Sequence, residues 1–246
     1  RELFVQESFE HPAKANIFVI EELIKFTSRG GDLIVDPFAG TGTLLIGEDM
    51  GRIVGLIELN DRYIEIIRMN MAKMVCTKSF LIEGPNQKAL ESFDGVVQSI
   101  IFSPPYAGAL EGSGKSLMQQ NAVSTMTKEA LQTYGAEQQV QTNLMPYNLA
   151  GFNDFMFAQE MEKIYRLCLR ALKPGGYLAL IIKDRIKAGI KSELGFQNVQ
   201  KMIQVGFETD TWERWYPPAS IFTKTHRAKG RKTIDDEHLI VMRKPL

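Results

Sequence analysis

The sequence is poor in the residues that staple, ligate or anchor a chain. Among its 246 residues are two cysteines, Cys76 and Cys168, without a CxxC spacing. Each lies in an apolar stretch, so both read as reduced core thiols of a cytoplasmic protein rather than a disulfide framework. The three histidines, His11, His226 and His238, are scattered, which offers no cluster to a metal. No apolar run exceeds strand length, so neither a membrane span nor a signal peptide is expected. An excess of one charge is missing too, since 29 basic residues face 29 acidic ones. Coating DNA nonspecifically takes surplus Lys and Arg against phosphate, so nucleic-acid contact here must come from a local basic face. A chain of this length buries enough apolar surface to fold unstapled.

What is present is alternation. Short apolar runs and amphipathic stretches follow one another, the pattern of a doubly wound, mostly parallel α/β sheet in a single domain over 1–246. Helical spacing covers Ile17–Ser28 and stops at Gly30-Gly31. Leu33–Val35 predicts a strand, and a glycine-rich loop leads into a helix from about Thr43 to Met50. Ile53–Ile57 predicts a second strand and Asp61–Met74 a helix. Phe80–Ile82 and Val96–Phe102 predict two more strands. From Ala107 to Ala150 the texture turns to Gln, Ser, Thr and Gly. A long irregular segment inside a compact domain is usually functional or mobile, so 107–150 is expected to be an inserted lid on the target side. Its Gly112-Ser-Gly-Lys-Ser116 imitates the end of a phosphate-binding loop, but position 109 is alanine and no strand precedes it. Beyond the insertion come a helix over Asp154–Leu172, a turn at Lys173–Gly176 and a strand over Tyr177–Lys183. A helix at about Glu193–Val205 and two strands, Phe207–Arg214 and Glu237–Met242, complete the pattern. A basic loop joins those last two.

The first chemical signal is the loop Asp36, Pro37, Phe38, Ala39, Gly40, Thr41, Gly42 and Thr43, between strand and helix. Gly40 and Gly42 permit close backbone approach, and a helix N-terminus offers free N–H groups. A dinucleotide site would look similar, but the third glycine of GxGxxG is absent: Gly42 is followed by Thr43-Leu44-Leu45. Asp36 at the strand end would repel a pyrophosphate and suits an ammonium group. S-adenosylmethionine carries an α-ammonium and a sulfonium, and no phosphate. Glu58 ends the second strand at the spacing where an acid binds ribose hydroxyls.

The second signal is Ser103-Pro104-Pro105-Tyr106, directly after a buried strand. The amino group of cytosine or adenine is a poor nucleophile, because its lone pair is delocalised into the ring. Two acceptors placed around it favour the attacking geometry and steady the developing charge. Ser103 Oγ and the Pro104 carbonyl can be those acceptors. Consecutive prolines fix φ and remove competing donors, and Tyr106 offers a flat face for a base.

With both loops in this order, the sequence resembles the amino-methyltransferases of DNA, which make N4-methylcytosine or N6-methyladenine. The likeness covers nearly all of the chain outside the insertion. Asp36–Thr43 is similar to the family's cofactor motif and Ser103–Tyr106 to its catalytic motif. His11, Pro12 and Lys14, with the helix after them, resemble the segment that closes over the methionine end of the cofactor. Leu172–Gly176 resembles the turn before the fifth strand, and Asp236–Arg243 the final hairpin strand. The resemblance implies a Rossmann-like seven-stranded sheet ending in an antiparallel hairpin, with S-adenosyl-L-methionine as cofactor. It implies a flipped base in DNA as target, and restriction-modification as the setting. Serine at 103 is commoner among the cytosine N4 enzymes. The run Glu83-Gly-Pro-Asn86 departs from the acidic residue the family usually has near the adenine, and either Pro85 or Asn86 takes that place. A large target-recognition domain is also missing.

Lys224, Arg227, Lys229, Arg231 and Lys232 form the local basic face and are expected to hold phosphates. Trp212, Trp215 and Tyr216 can stack on bases, though aromatics near a strand end are more often core. An RNA base methyltransferase is the first alternative. A catalytically silent cofactor-binding subunit is the second, and the intact Ser103–Tyr106 speaks against it. Neither a metal nor a membrane is expected as a partner. A homodimer and a partner subunit both stay open.

Overall fold

The computed structural model describes residues 3–10, 15–105, 149, 152–187, 189–218 and 221–246. Seven strands form one sheet: β1 (Leu33–Asp36), β2 (Ile53–Glu58), β3 (Phe80–Glu83), β4 (Val97–Phe102), β5 (Leu172–Ile182), β8 (Glu208–Trp215) and β9 (Glu237–Arg243). Their order is β3-β2-β1-β4-β5-β9-β8. The first five run parallel, while β9 is antiparallel to both β5 and β8. This is the doubly wound sheet that the alternation implied, with the Rossmann-like order and C-terminal antiparallel hairpin that the resemblance implied.

Successive side chains of a strand point to opposite faces, and here both faces are buried. Val35, Ile57, Ile100, Phe102, Leu178, Leu180 and Ile240 enter one core. Ile34, Leu56, Ile101, Ala179, Ile181 and Val241 enter the other. Strands flanked on both sides read as continuous apolar runs, which is why Ile-Ile-Phe102 and Leu-Ile-Val35 were legible. Helix α1 (Ile17–Thr27) covers the second face with Ile20, Leu23 and Ile24, and Asn16 caps it by accepting the Phe18 N–H at 2.9 Å. Helix α3 (Asp61–Met74) adds Ile67 to that face. Helices α4 (Asn86–Leu90), α5 (Asp154–Ala171) and α6 (Leu194–Val205) cover the first face, through Leu90, Met161, Ile164, Tyr165, Val199 and Met202 among others.

The sequence reading misses α4 and differs from the structure at four further places. After the glycine loop there is no single helix but a 3-10 turn, Thr43–Leu45, and a short α2 (Ile46–Asp49). Pairing of β4 with β5 begins at Val97↔Leu172 and resumes at Ser99↔Tyr177, so Lys173–Gly176 bulges out of an already started strand. A small antiparallel pair, β6 (Arg185–Lys187) and β7 (Ile190–Ser192), comes after β5. The expected basic loop contains a helix, α7 (Ile221–Ala228). Among the described residues no helix is long and apolar enough to cross a membrane.

Candidate active site

In a parallel sheet, ligands bind beyond the carboxyl ends of the strands, where neighbouring connections depart to opposite faces. Here that point lies between β1 and β4, the adjacent strands that register Ile34 with Ser99 and Val35 with Ile100. The glycine loop leaves β1 there and Ser103-Pro104-Pro105 leaves β4. The glycine loop touches the end of β4 through Phe38 and Phe102, whose ring centroids are 5.3 Å apart.

Asp36 is buried at the end of β1 and its Oδ1 accepts the Phe38 N–H at 2.8 Å. Glu58, at the end of β2, accepts from Gly40 N at 2.7 Å and from Leu59 N and Asn60 N at 2.8 Å each. Among the described residues every hydrogen bond these two acids accept comes from backbone, and no basic side chain neutralises either one. Burial pushes Asp36 up to about 8, the charge of Glu58 adding to it and the Phe38 N–H opposing. Burial likewise lifts Glu58 to about 6 against its three N–H donors. A buried and a half-buried carboxylate, with no counter-charge among the described residues, suit a ligand that brings cationic and hydroxyl groups. S-adenosylmethionine brings both, and the residues present fit it.

The loop itself is held from inside. Gly42 has φ 81°, and a Cβ there would meet Ile67, Leu45 and Leu56 side chains at 3.2–3.3 Å. Glycine at this position serves the turn and the core beneath it, while Gly40, at φ 53°, donates to Glu58. Thr41 and Thr43 are buried. Asn86 is buried as well, its Nδ2 donating to the Pro37 carbonyl at 3.2 Å, which ties α4 to the loop. Pro85 precedes α4 as its N-cap. His11, Pro12, Lys14, Tyr106 and the insertion (but for Leu149) lie outside the described residues.

On the β4 side Pro104 is buried, and Ser103 and Pro105 are half-buried. A cavity of about 160 Å³ opens beside Pro105, lined also by Asp154, Phe157, Arg185, Gln197 and Lys201. The basic cluster is spread over α7 and the turn after it. Lys224, Lys229, Arg231 and Lys232 are exposed, whereas Arg227 is paired with Asp235 at 2.6 Å. Trp212 donates its Nε1–H to His238 Nδ1 at 2.9 Å, Trp215 packs on the core and Tyr216 is exposed. The sequence reading did not single out Phe102 or the polar lining of the cavity. Neither carries a motif; strand register brings Phe102 here, and the packing of α5 and α6 brings most of the cavity lining.

Residues 4–69 match the model of the DNA methylase family N6_N4_Mtase. No curated protein matches the chain. Among solved structures, a precorrin-6y C5,15-methyltransferase from Geobacter metallireducens is 13% identical, with 98% of this chain and 94% of that one covered and a TM-score of 0.54. An S-adenosylmethionine-dependent methyltransferase from Methanosarcina mazei is 13% identical, covering 91% and 97%, with a TM-score of 0.52. The [4+2]-cyclase SpnF is 15% identical, covering 94% and 81%, with a TM-score of 0.59. The cyclase makes plain that these likenesses speak for the fold, and fold does not determine reaction. Over residues 4–69 the chain is similar to the N6/N4 DNA methylases, and its fold is shared with S-adenosylmethionine-dependent methyltransferases.

Proposed function

We propose that the chain methylates an exocyclic amino group of a base in DNA, cytosine N4 in preference to adenine N6. The observation that carries this reading is the placement of Ser103-Pro104-Pro105 beside the glycine loop, at one end of adjacent strands and joined by the Phe38–Phe102 contact. Asp36 receives the α-ammonium of the cofactor and Glu58 its ribose hydroxyls. Asn86 acts one step back by holding Pro37, and the segment with His11, Pro12 and Lys14 covers the methionine end. When bound, S-adenosylmethionine supplies a methyl group on a positively charged sulfur. Ser103 Oγ and the Pro104 carbonyl accept the two amino hydrogens of the base, which turns its nitrogen lone pair out of conjugation and toward that methyl. The amino nitrogen would take the methyl group that the cofactor supplies, and Ser103 Oγ, hydrogen-bonded to that nitrogen, would afterwards pass its proton to water. Because a stacked base cannot reach Ser103, it must leave the duplex, and the cavity beside Pro105 takes it, with Tyr106 stacking on its face. Lys224, Lys229, Arg231 and Lys232 hold the backbone. The whole chain acts as one domain, with 107–150 on the target side.

Incubation with methyl-labelled cofactor and separate DNA and RNA pools, followed by nucleoside analysis, tests the reading. N4-methylcytosine from DNA is the expected product. Label in RNA only, or at a ring carbon, overturns it.

A further inference from the structure

Helix α3 carries one residue that its own pattern does not explain. Ile64, Ile66 and Ile67 form its buried stripe, and the fourth buried member is Asn70, with no exposed surface at all. A buried amide costs free energy unless its donors and acceptor are all used. Here they are. Oδ1 accepts the Val5 N–H at 2.8 Å and lies 3.2 Å from Ser8 Oγ, while Nδ2 donates to Ser8 Oγ and to the Thr41 carbonyl, both at 2.8 Å. Its partners come from two other parts of the chain. Val5 and Ser8 belong to the N-terminal segment, which Lys73, also on α3, fixes by donating to the Phe4 carbonyl at 2.6 Å. Thr41 lies between the two glycines of the cofactor loop, next to Gly40, which Glu58 holds from the other side.

We propose that Asn70 is a positioning residue of the cofactor site: one amide sets the glycine loop and the N-terminal segment in a common register. The inference rests on the assignment of the cofactor to Asp36–Thr43. Asn70 touches no ligand. Its acceptor face holds the segment that leads to residues 11–14, and its donor face aims the loop by restraining Thr41. Loss of the amide takes from the Thr41 carbonyl and the Val5 N–H the partner they share, and the loop and the N-terminal segment are then free to shift.

The two faces can be separated by substitution. Asn70→Asp keeps the acceptor toward Val5 but turns an acceptor toward the Thr41 carbonyl, except when the carboxyl is protonated and donates again. Cofactor affinity, measured by calorimetry on the intact chain, should fall at least tenfold relative to wild type at pH 8 in Asn70→Asp. That deficit should shrink to less than threefold at pH 6. Asn70→Leu should lose affinity at both pH values alike. A merely structural amide lowers the melting temperature of the variants without this pH-dependent return of affinity. Hydrogen exchange on the wild type supplies a readout that does not depend on any variant folding: added cofactor should protect residues 4–8 together with 40–43. Unchanged affinity in folded Asn70 variants, or protection of 40–43 without 4–8, overturns the inference. Asp36→Ala and Glu58→Ala are measured alongside. If they weaken binding and the Asn70 variants do not, only this inference fails; if neither acid matters, the assignment of the cofactor site fails first.

Discussion

Binding of the cofactor should expel a proton. In the free protein Asp36 sits near 8 and Glu58 near 6, both raised chiefly by burial. At pH 7 most molecules therefore carry a proton on Asp36. An ammonium and a sulfonium beside these acids favour their ionised forms, so the complex forms only from the deprotonated pair. With Asp36 protonated in the free protein and ionised in the complex, the association constant should rise with pH, by about tenfold per unit around pH 7. About 0.9 proton is released per cofactor at pH 7 by the same linkage. The upper limit of this rise is set by the ligand, whose own α-amino group titrates near ~8. Calorimetry in two buffers of different ionisation enthalpy reads the proton number directly. Asp36→Asn should bind more weakly and lose most of this slope, because the proton it would release is gone. The same shift acts on stability with a definite sign. Asp36 is raised above its unfolded value, so its contribution is full below the ordinary carboxylate range and is lost as pH rises through about 8. Asp36→Asn should accordingly melt above wild type at pH 8. A flat affinity profile in the wild type, with no proton released, refutes the reasoning.

Ser103→Ala should lower kcat about 100-fold, by loss of one preorganised acceptor, with cofactor affinity unchanged; a loss confined to KM contradicts its role. Glu48 accepts from the N–H groups of Thr77, Lys78 and Ser79 and from the Ser79 hydroxyl. Burial works against these bonds, yet they bring its carboxyl down to about 2. That stability is present above the ordinary carboxylate range and lost as pH falls through about 2. Glu48→Gln should cost about 1 kcal/mol at pH 7 in a partly wet site, with the gap to wild type closing toward pH 2 in urea titrations. Lys224→Gln with Lys229→Gln should weaken every DNA sequence alike and reduce the salt slope by about 2; an altered site preference at constant slope would show that these lysines read bases.

The parts of the fold that were legible are those with a long enough period. Eleven residues of α1 and fourteen of α3 repeat apolar positions over several turns, and β1, β2 and the Ile100–Phe102 end of β4 are near-continuous apolar runs because both faces are covered. Five-residue α4 and three-residue β6 and β7 are too short for any period to rise above chance. Helix α7 was hidden because Lys-Thr-His-Arg has a charged composition that suits a loop equally well. Asp36, Glu58 and Ser103 could be picked out because strand ends and motif spacing mark them. Asn70 could not: a polar residue in a helix ordinarily faces water, and only the three-dimensional meeting of Val5, Ser8 and Thr41 reveals why it does not. Gly42 was read as room for a ligand, and its constraint turns out to come from the core behind it.

Strand β4 works as a ruler. From Ser99 to Phe102 its side chains alternate between two filled cores: the Ser99 hydroxyl donates to Thr27 on α1 at 2.8 Å, Ile100 and Phe102 go to one side and Ile101 to the other. Inserting one residue would exchange the two faces and put every one of these groups in the wrong core. Inserting two would restore the faces but carry Ser103 about 7 Å along the strand axis, away from the loop after β1. The length of β4 is thus fixed twice over, once by packing parity and once by reach. Only the chain after Pro105 and the chain before Val97 can change length without disturbing either constraint.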